Sequence, residues 1–202
     1  MTTLEAFTVE PAEKELVYAW FREQRWTEEA YLSLSSASNH FIELSDGRLV
    51  IHPMPTLSHQ RAARRLFQRL TSFLEATKLG EALFAPHPIR LWPGKFREPD
   101  VMVWLNKHSD RMGEQESGPP DLVLEIHSPS TSRLDLGDKF QEYELAEIPE
   151  YWMADLQARR LSVFALEGRR YKLLAHFGPG QSARSTILPG FEVAVDDVLP
   201  PE

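Results

Sequence analysis

The sequence predicts a mixed α/β domain, in which helices flank a central mixed β-sheet and an antiparallel strand region is added towards the carboxyl end. Two short apolar runs, residues 101–105 and 122–126, have the length and composition of buried strands. Asp46-Gly47 separates two further apolar runs, which is typical of a β-hairpin because both turn positions must tolerate positive φ. Residues 58–78 repeat apolar side chains at helical spacing.

The other elements follow from local signals along the chain. Residues 1–26 are assigned as a leader with a helical pattern over 15–25, and residues 27–202 as a single domain. Predicted helices cover 28–34 with Thr27 as N-cap, 58–78 from Ser58 to a stop at Gly80, and 134–147. Predicted strands cover 41–45, 48–52, 82–91, 101–105, 122–126, 148–154, 161–166, 171–176 and 185–188, with a turn at 92–97 and a loop at 106–120.

Length and composition limit the class of protein. At 202 residues, with 42% hydrophobic and 26% charged residues, the chain has the size and composition of one globular domain. It has no run long enough to cross a bilayer and no signal-peptide pattern, and the absence of cysteine agrees with a reducing cytoplasm. We therefore expect a cytoplasmic protein without membrane contacts. A net charge of −8 argues against a surface coated with phosphate-binding residues but leaves room for a local basic cleft.

Two carboxylates stand out because each adjoins a buried strand. Asp100 comes directly before the first strand, and Glu125 lies near the end of the second. Carboxylates rarely occupy such places unless they are paired or bind a cation. If the two strands are neighbours, both acids converge on one spot, which suits a divalent metal. The alternative is a structural network of buried carboxylates.

Neighbouring positions supply further candidates. Because side chains alternate along a strand, Glu125 and His127 share one face. In the helix that follows, Asp135, Lys139 and Tyr143 are spaced four residues apart and lie on one stripe. Lys139 can therefore aim its ammonium at the two acids, or it pairs with Asp135 or Glu142.

An ordered set of segments resembles the Uma family of endonucleases, a large bacterial group within the PD-(D/E)XK superfamily of restriction-endonuclease-like nucleases. The resemblance runs from about residue 30 to residue 198. The segments that carry it are FIELSDGRLV at 41–50, SHQ at 58–60, REPDV at 97–101, LEIHSPS at 124–130, residues 135–143 and PEYW at 149–152.

The resemblance implies a restriction-endonuclease-like fold and metal-assisted hydrolysis of phosphodiester bonds in DNA. It implies that Asp100, Glu125 and the main-chain carbonyl of Ile126 hold Mg²⁺ or Mn²⁺. The superfamily's basic residue usually lies two positions after the second acid, where this sequence has His127, and the helical Lys139 is expected to replace it. Glu43 occupies a hairpin position where the family tends to have Glu, so it is either an acid of the site or an exposed strand residue.

Other side chains are candidates for substrate contacts. Arg61, Arg65 and Arg69 recur every four residues on one helix face and either bind nucleic-acid phosphates or form a solvated face. His59 either contacts substrate or caps the helix, and Tyr143 and His127 are possible additional site residues. A homodimer is plausible because cleavage of two strands needs two active sites. The alternative function is a nucleic-acid-binding or interaction module that retains the fold without cleavage.

Overall fold

A computed structural model describes residues 24–38, 40–127 and 133–200, with the side chains of residues 133–136 left out. The helices are α1 (Glu28–Ala37), α2 (Leu57–Thr77), α3 (Arg133–Leu145) and α4 (Val195–Val198), with a 3₁₀ helix over Asn106–Arg111. The strands are β1 (Ile42–Ser45), β2 (Arg48–Ile51), β3 (Gly80–Phe84), β4 (Ile89–Trp92), β5 (Lys95–Arg97), β6 (Val101–Leu105), β7 (Leu122–His127), β8 (Glu150–Asp155), β9 (Arg160–Glu167), β10 (Arg170–Phe177), β11 (Ser182–Arg184) and β12 (Glu192–Ala194).

The central element is a six-stranded mixed sheet. Its strand order is β10-β9-β8-β7-β6-β3, in which β7 and β8 run parallel and the other neighbours run antiparallel. The parallel pair is connected through α3, as a parallel crossover requires a long connection. The predicted central mixed sheet with flanking helices is confirmed.

The two faces of this sheet are covered by different helices. The apolar stripe of α2 (Ala62, Leu66, Leu70 and Leu74) packs against one set of alternating strand residues, including Val101 and Leu124. The opposite set, including Met102 and Val123, packs with Tyr143 of α3. Both faces of β6 and β7 are therefore buried, which explains why their sequences are continuous apolar runs.

A second, four-stranded antiparallel sheet lies beside the first, in the order β2-β1-β5-β4. Its β1–β2 hairpin turns at Asp46 and Gly47, whose φ values of 53° and 78° fit the predicted turn. Tyr31 of α1 packs into the core of this sheet together with Leu44 and Phe96. The helix predicted after Thr27 is confirmed, with the Thr27 hydroxyl accepting a hydrogen bond from the Ala30 amide.

Several predicted boundaries are wrong. The segment 82–91 is two strands in different sheets, because Pro86 and Pro88 interrupt it, and residues 95–97 of the predicted turn form β5. The long helix is capped by Thr56 instead of Ser58, and it ends at Thr77 with Lys78 in the left-handed conformation instead of being stopped by Gly80.

The carboxyl-terminal strands also differ from the prediction. The strand predicted at 185–188 is instead β11, three residues earlier, and its partner β12 was not predicted. The helical pattern predicted at 15–25 lies almost wholly outside the described residues. No helix within the described ranges combines the length and the hydropathy needed to cross a membrane.

Candidate active site

Four carboxylates and one lysine from four different segments meet at a cavity of about 140 Å³. Glu43 comes from β1, Glu98 and Asp100 from the connection between β5 and β6, Glu125 from β7 and Lys139 from α3. β6 and β7 are antiparallel neighbours with Val101 opposite Leu124, so Asp100 at the start of one strand lies next to the end of the other. The strands that carry Asp100 and Glu125 are therefore neighbours, as the sequence analysis required.

Asp100 is held by two contacts that both involve Oδ2. The oxygen accepts a hydrogen bond of 2.7 Å from the Ile126 amide and lies 3.2 Å from Nε2 of His59. Although burial lowers it, the pKa of His59 is raised above its ordinary value by the Asp100 carboxylate. His59 therefore lines the cavity and pairs with the Asp100 carboxylate.

Glu125 is buried and receives two donors on one oxygen. Its Oε1 accepts from the Tyr143 hydroxyl at 2.6 Å and from Nζ of Lys139 at 3.0 Å. Burial raises the pKa of Glu125, and the nearby Asp100 carboxylate adds to the rise, while the Lys139 ammonium opposes both. Tyr143 and Lys139 lie one helical turn apart on α3, which explains why both reach the same oxygen.

Lys139 bridges Glu125 and Glu43. Its Nζ lies 3.1 Å from Oε1 of Glu43 and 3.0 Å from Oε1 of Glu125. Burial alone would lower the pKa of Lys139, but the surrounding carboxylates raise it above its ordinary value, so the side chain is an ammonium. The partners suggested from sequence differ: Glu142 bonds elsewhere, and the side chain of Asp135 lies outside the described residues.

Glu43 is completely buried within a set of donors. It accepts from Arg97 at 2.7 Å and from the main-chain amide of Glu98 at 3.1 Å, and it lies 2.8 Å from Nε2 of His52. Despite burial, these donors and Lys139 hold the pKa of Glu43 well below its usual range. The alternative of an exposed strand residue is therefore wrong.

A second layer of ion pairs supports Glu43. Glu142 of α3 accepts from Nε and from a terminal nitrogen of Arg97, at 2.6 and 2.8 Å, and from Nζ of Lys95 at 2.9 Å. A bidentate arginine–carboxylate pair fixes the geometry of both groups. The network thereby ties α3, which carries Lys139, to the small sheet, which carries Glu43.

Three buried polar atoms of cavity residues have no hydrogen-bond partner in the described part of the chain. They are Nδ1 of His59, Oε2 of Glu98 and Nε2 of His127. Burial raises the pKa of Glu98 to about 7, with the Glu43 carboxylate adding to the rise, and burial lowers the pKa of His127 to about 4. Unpartnered buried polar atoms are costly, so their concentration here indicates a place for a ligand.

The predicted arginine ridge is not part of the cavity. Arg61 and Arg69 are exposed and Arg65 is half-buried, on the side of α2 away from its apolar stripe, and Arg69 pairs with Asp197 at 2.8 Å. His59, on the same helix, does reach the cavity. His59 and the three arginines therefore lie on different faces of α2.

The donor chemistry fits a hard divalent cation held by few side chains. Asp100 and Glu125 offer carboxylate oxygens, and their described hydrogen bonds use only Oδ2 and Oε1. The Ile126 amide points towards Asp100, and the carbonyl of the same residue faces the same side because a strand residue directs both groups to one neighbour. Among the described residues no three His, Asp or Glu side chains form a cluster that could hold a metal by themselves.

Sequence analysis did not identify four residues that build this site. Arg97 and Glu98 stand beside the recognised Asp100, but nothing local shows that they face Glu43, because that contact depends on the pairing of β1 with β5. His52 and Glu142 are likewise brought in by tertiary packing. The signal in the sequence was a pair of adjacent charged residues, Arg97 and Glu98. The structure buries both, together with the rest of residues 95–99.

Comparison with known proteins places the chain in a family. The sequence profile of Uma2, described as "Putative restriction endonuclease", matches residues 28–196, and the chain therefore belongs to that family. A crystal structure of a "putative nuclease belonging to DUF820" from Anabaena variabilis ATCC 29413 has a TM-score of 0.71 with 15% sequence identity. The match covers 86% of this chain and 97% of the other and shows that the two share a fold. No curated protein matches the sequence.

Proposed function

We propose that this protein is a divalent-metal-dependent nuclease that hydrolyses phosphodiester bonds of DNA. The observation that carries the proposal is the common cavity of Asp100 and Glu125, which come from adjacent strands and lie beside the Lys139 ammonium. Membership of the Uma2 family supports the same class of reaction. Fold alone would not suffice, since one fold serves many functions.

The residues proposed to hold Mg²⁺ or Mn²⁺ are Asp100, Glu125 and the carbonyl of Ile126. All three supply hard oxygen ligands, which both ions prefer, and water would complete the coordination. When bound, such an ion supplies Lewis-acid polarisation of the scissile phosphate and lowers the pKa of a bound water.

The other cavity residues are proposed to orient these groups. Tyr143 fixes the Glu125 carboxylate through its 2.6 Å hydrogen bond, and His59 fixes Asp100 from the opposite side. Lys139 is a protonated donor, so its proposed role is to neutralise charge that develops on the phosphate and to orient the attacking water. An ammonium does this without itself taking a proton.

The approach of an anionic substrate is favoured by the position of α2. Thr56 and His59 line the cavity, so the positive end of the dipole of this 21-residue helix lies at its edge. Arg61 and Arg65 are proposed to contact phosphates farther from the cleaved bond. Cleavage of both strands of a duplex would require two copies of the domain, and a homodimer is part of the proposal for that substrate.

One observation favours the alternative of a non-catalytic binding module. Lys139 already lies within hydrogen-bonding distance of both Glu43 and Glu125, so the buried acids have a partner without any metal. A domain that had lost catalysis could keep this network for stability alone.

Metal binding and cleavage separate the two functions. We would titrate Mn²⁺ into the wild type and into Asp100→Asn and Glu125→Gln by calorimetry, and assay the cleavage of plasmid and of single-stranded DNA with each protein. Glu75→Gln, which removes an exposed acid from α2, is the matched control. The proposal expects the wild type and the control to bind Mn²⁺ and to cleave at least one of the two DNAs, and it expects the two cavity variants to lose both activities.

Two other results would contradict the proposed nuclease function. Binding of Mn²⁺ without cleavage of plasmid or single-stranded DNA would favour the binding module. A wild type that binds no Mn²⁺ would refute the metal-dependent nuclease.

A further inference from the structure

The wall of the cavity supplies little positive charge for the backbone of DNA. It contains the carboxylates of Glu43, Glu98, Asp100 and Glu125 and a single ammonium, that of Lys139, which already lies between two of them. A protein that binds duplex DNA gains most of its affinity from cations that neutralise phosphates. The described lining offers no such surplus of positive charge.

Nearby cations do not change this balance. Arg97 and Lys95 are buried and satisfied by Glu43, Glu142 and Asp46. The arginines of α2 lie on its outer side, as described above. Over the whole chain the net charge is −8, so tight binding of DNA, paired or unpaired, needs contacts other than attraction to the protein's overall charge.

The mouth of the cavity instead has an apolar lip, formed by Phe41, Pro53, Met54 and Pro55. Met54 is 65% exposed, an unusual place for a large apolar side chain beside a cluster of charges. The lip is continuous with the candidate active site, because the same cavity is lined by Asp100 and Glu125.

Two features make the lip a platform for a flat, apolar surface. Pro53 and Pro55 flank Met54 and fix two of the backbone torsions, so little conformational entropy is lost when a ligand binds. The half-buried ring of Phe41 has no aromatic contact among the described residues, whereas Phe67, Phe73, Phe96 and Phe140 each pack on another ring. A nucleobase can stack on such a ring whatever its identity.

We propose that the substrate enters this cavity as unpaired DNA, with one base lying on the apolar lip while the adjacent phosphate faces Asp100 and Glu125. A base can reach the lip only after it has left the stack, which excludes a regular duplex at the cleaved step. This inference rests on the proposed nuclease function and specifies its substrate.

Binding is tested in Ca²⁺, a hard cation that carboxylate oxygens also hold, because without a cation the acids of the cavity would repel the phosphate. Fluorescence anisotropy compares a labelled single strand, the same sequence as a duplex, and the duplex with a central bubble of unpaired bases. We expect the single strand and the bubble to bind at least about 10-fold more tightly than the duplex, as one stacked base would give. Added Mn²⁺ then tests cleavage of the same three substrates.

Two variants test whether the apolar lip causes the preference for unpaired DNA. Met54→Ala and Phe41→Leu are expected to weaken binding of the single strand about 5-fold while leaving the weak duplex binding unchanged. Leu145→Ala is the matched control, because Leu145 is also 65% exposed but lies at the end of α3 and does not line the cavity. A strand that contains 2-aminopurine should be quenched by the wild type and by the control, and less by Phe41→Leu, since quenching requires ring stacking.

The outcomes distinguish this inference from the function on which it rests. Equal affinity and equal cleavage for duplex and single strand would overturn the inference and leave the nuclease intact. The same holds if the single strand is preferred but the lip variants behave like Leu145→Ala. Failure to bind any of the three DNAs, together with failure to cleave them in Mn²⁺, would overturn both.

Discussion

The Asp100 carboxylate accepts a hydrogen bond of 2.7 Å from the main-chain amide of Ile126, the residue that follows Glu125. β6 begins only at Val101, and beyond this point the Asp100 side chain serves as the acceptor for the next amide of β7. One acid of the cavity is thereby bonded to the backbone next to the other acid. The pairing of β6 with β7 therefore sets the distance between the Asp100 and Glu125 carboxylates, and substitutions on the protein surface should not change it.

This bond predicts that two substitutions of Asp100 differ in stability. Asp100→Asn keeps a side-chain oxygen for the Ile126 amide, whereas Asp100→Ala leaves a buried N–H without its acceptor, at a cost of about 1–3 kcal/mol. We expect the free energy of unfolding in urea to fall by that amount in Asp100→Ala and by much less in Asp100→Asn. Both variants should lose Mn²⁺ binding. Equal stability of the two variants would contradict the role of the hydrogen bond.

The position of Lys139 predicts opposite effects on stability and on metal binding. In Lys139→Ala, Glu43 and Glu125 stay buried without their shared cation, so the metal-free protein should lose about 3 kcal/mol of unfolding free energy. Affinity for Mn²⁺ should remain or increase because a competing positive charge has been removed. Turnover should fall at least ~100-fold, as for loss of a charge-stabilising group.

Calorimetry, urea unfolding and single-turnover cleavage measure these three quantities on the same variant. Lys78→Ala, at the exposed end of α2, is the control and should leave all of them unchanged. A loss of Mn²⁺ affinity in Lys139→Ala would mean that the lysine supports the metal site and does not oppose it.

The sequence predicts those parts of the site that depend on local pattern. The runs around Asp100 and Glu125 are long enough and apolar enough to be buried strands, and their adjacency then brings the acids together. The four-residue spacing of Lys139 and Tyr143 likewise places both on one face of α3, where both reach Glu125.

The parts that the sequence does not predict depend on long-range pairing. β5 has three residues, two of which are Lys95 and Arg97, so nothing in its composition indicates a strand. It becomes one by pairing with β1 and β4, and only then does Arg97 meet Glu43. The sequence suggests His59 as a substrate contact or a cap, but it does not predict the contact with Asp100, because that contact joins a helix end to a distant strand.

Glu98 predicts how stability varies with pH. Burial raises the pKa of its carboxyl to about 7 from an ordinary 4.5, so between these values the folded state holds a proton that the unfolded state has lost. The stabilisation from this proton is present below pH 4.5 and is lost as pH rises through 7. Glu98→Gln cannot titrate, and relative to the wild type it should gain up to ~3 kcal/mol across that range.

Urea unfolding of both proteins at pH values below 4.5 and above 7 measures this difference. Glutamine retains an oxygen for the Ser35 hydroxyl, which donates to Glu98 at 3.1 Å, so the comparison isolates the charge. Glu75→Gln should parallel the wild type throughout. Parallel pH curves for Glu98→Gln and the wild type would show that the carboxyl is ionised in the folded protein at neutral pH.

His127 offers a test of whether Lys139 has taken over the role that related nucleases give to a lysine two positions after the second acid. Residue 127 lines the cavity and shares the face of Glu125, and its Nε2 has no hydrogen-bond partner in the described part of the chain. In the Lys139→Ala background, a lysine at position 127 can offer its ammonium to the Glu125 carboxylate. We expect His127→Lys to restore at least ~10-fold of the lost turnover and part of the lost stability.

The single variant His127→Lys supplies the control. With Lys139 present, a second ammonium would meet a like charge in a buried cavity, so this variant should be less stable than the wild type and no more active. If the double variant Lys139→Ala/His127→Lys regains stability without turnover, a lysine at either position neutralises Glu125, but only a lysine at position 139 reaches the scissile phosphate. A double variant that regains neither would show that position 127 cannot replace the helical lysine.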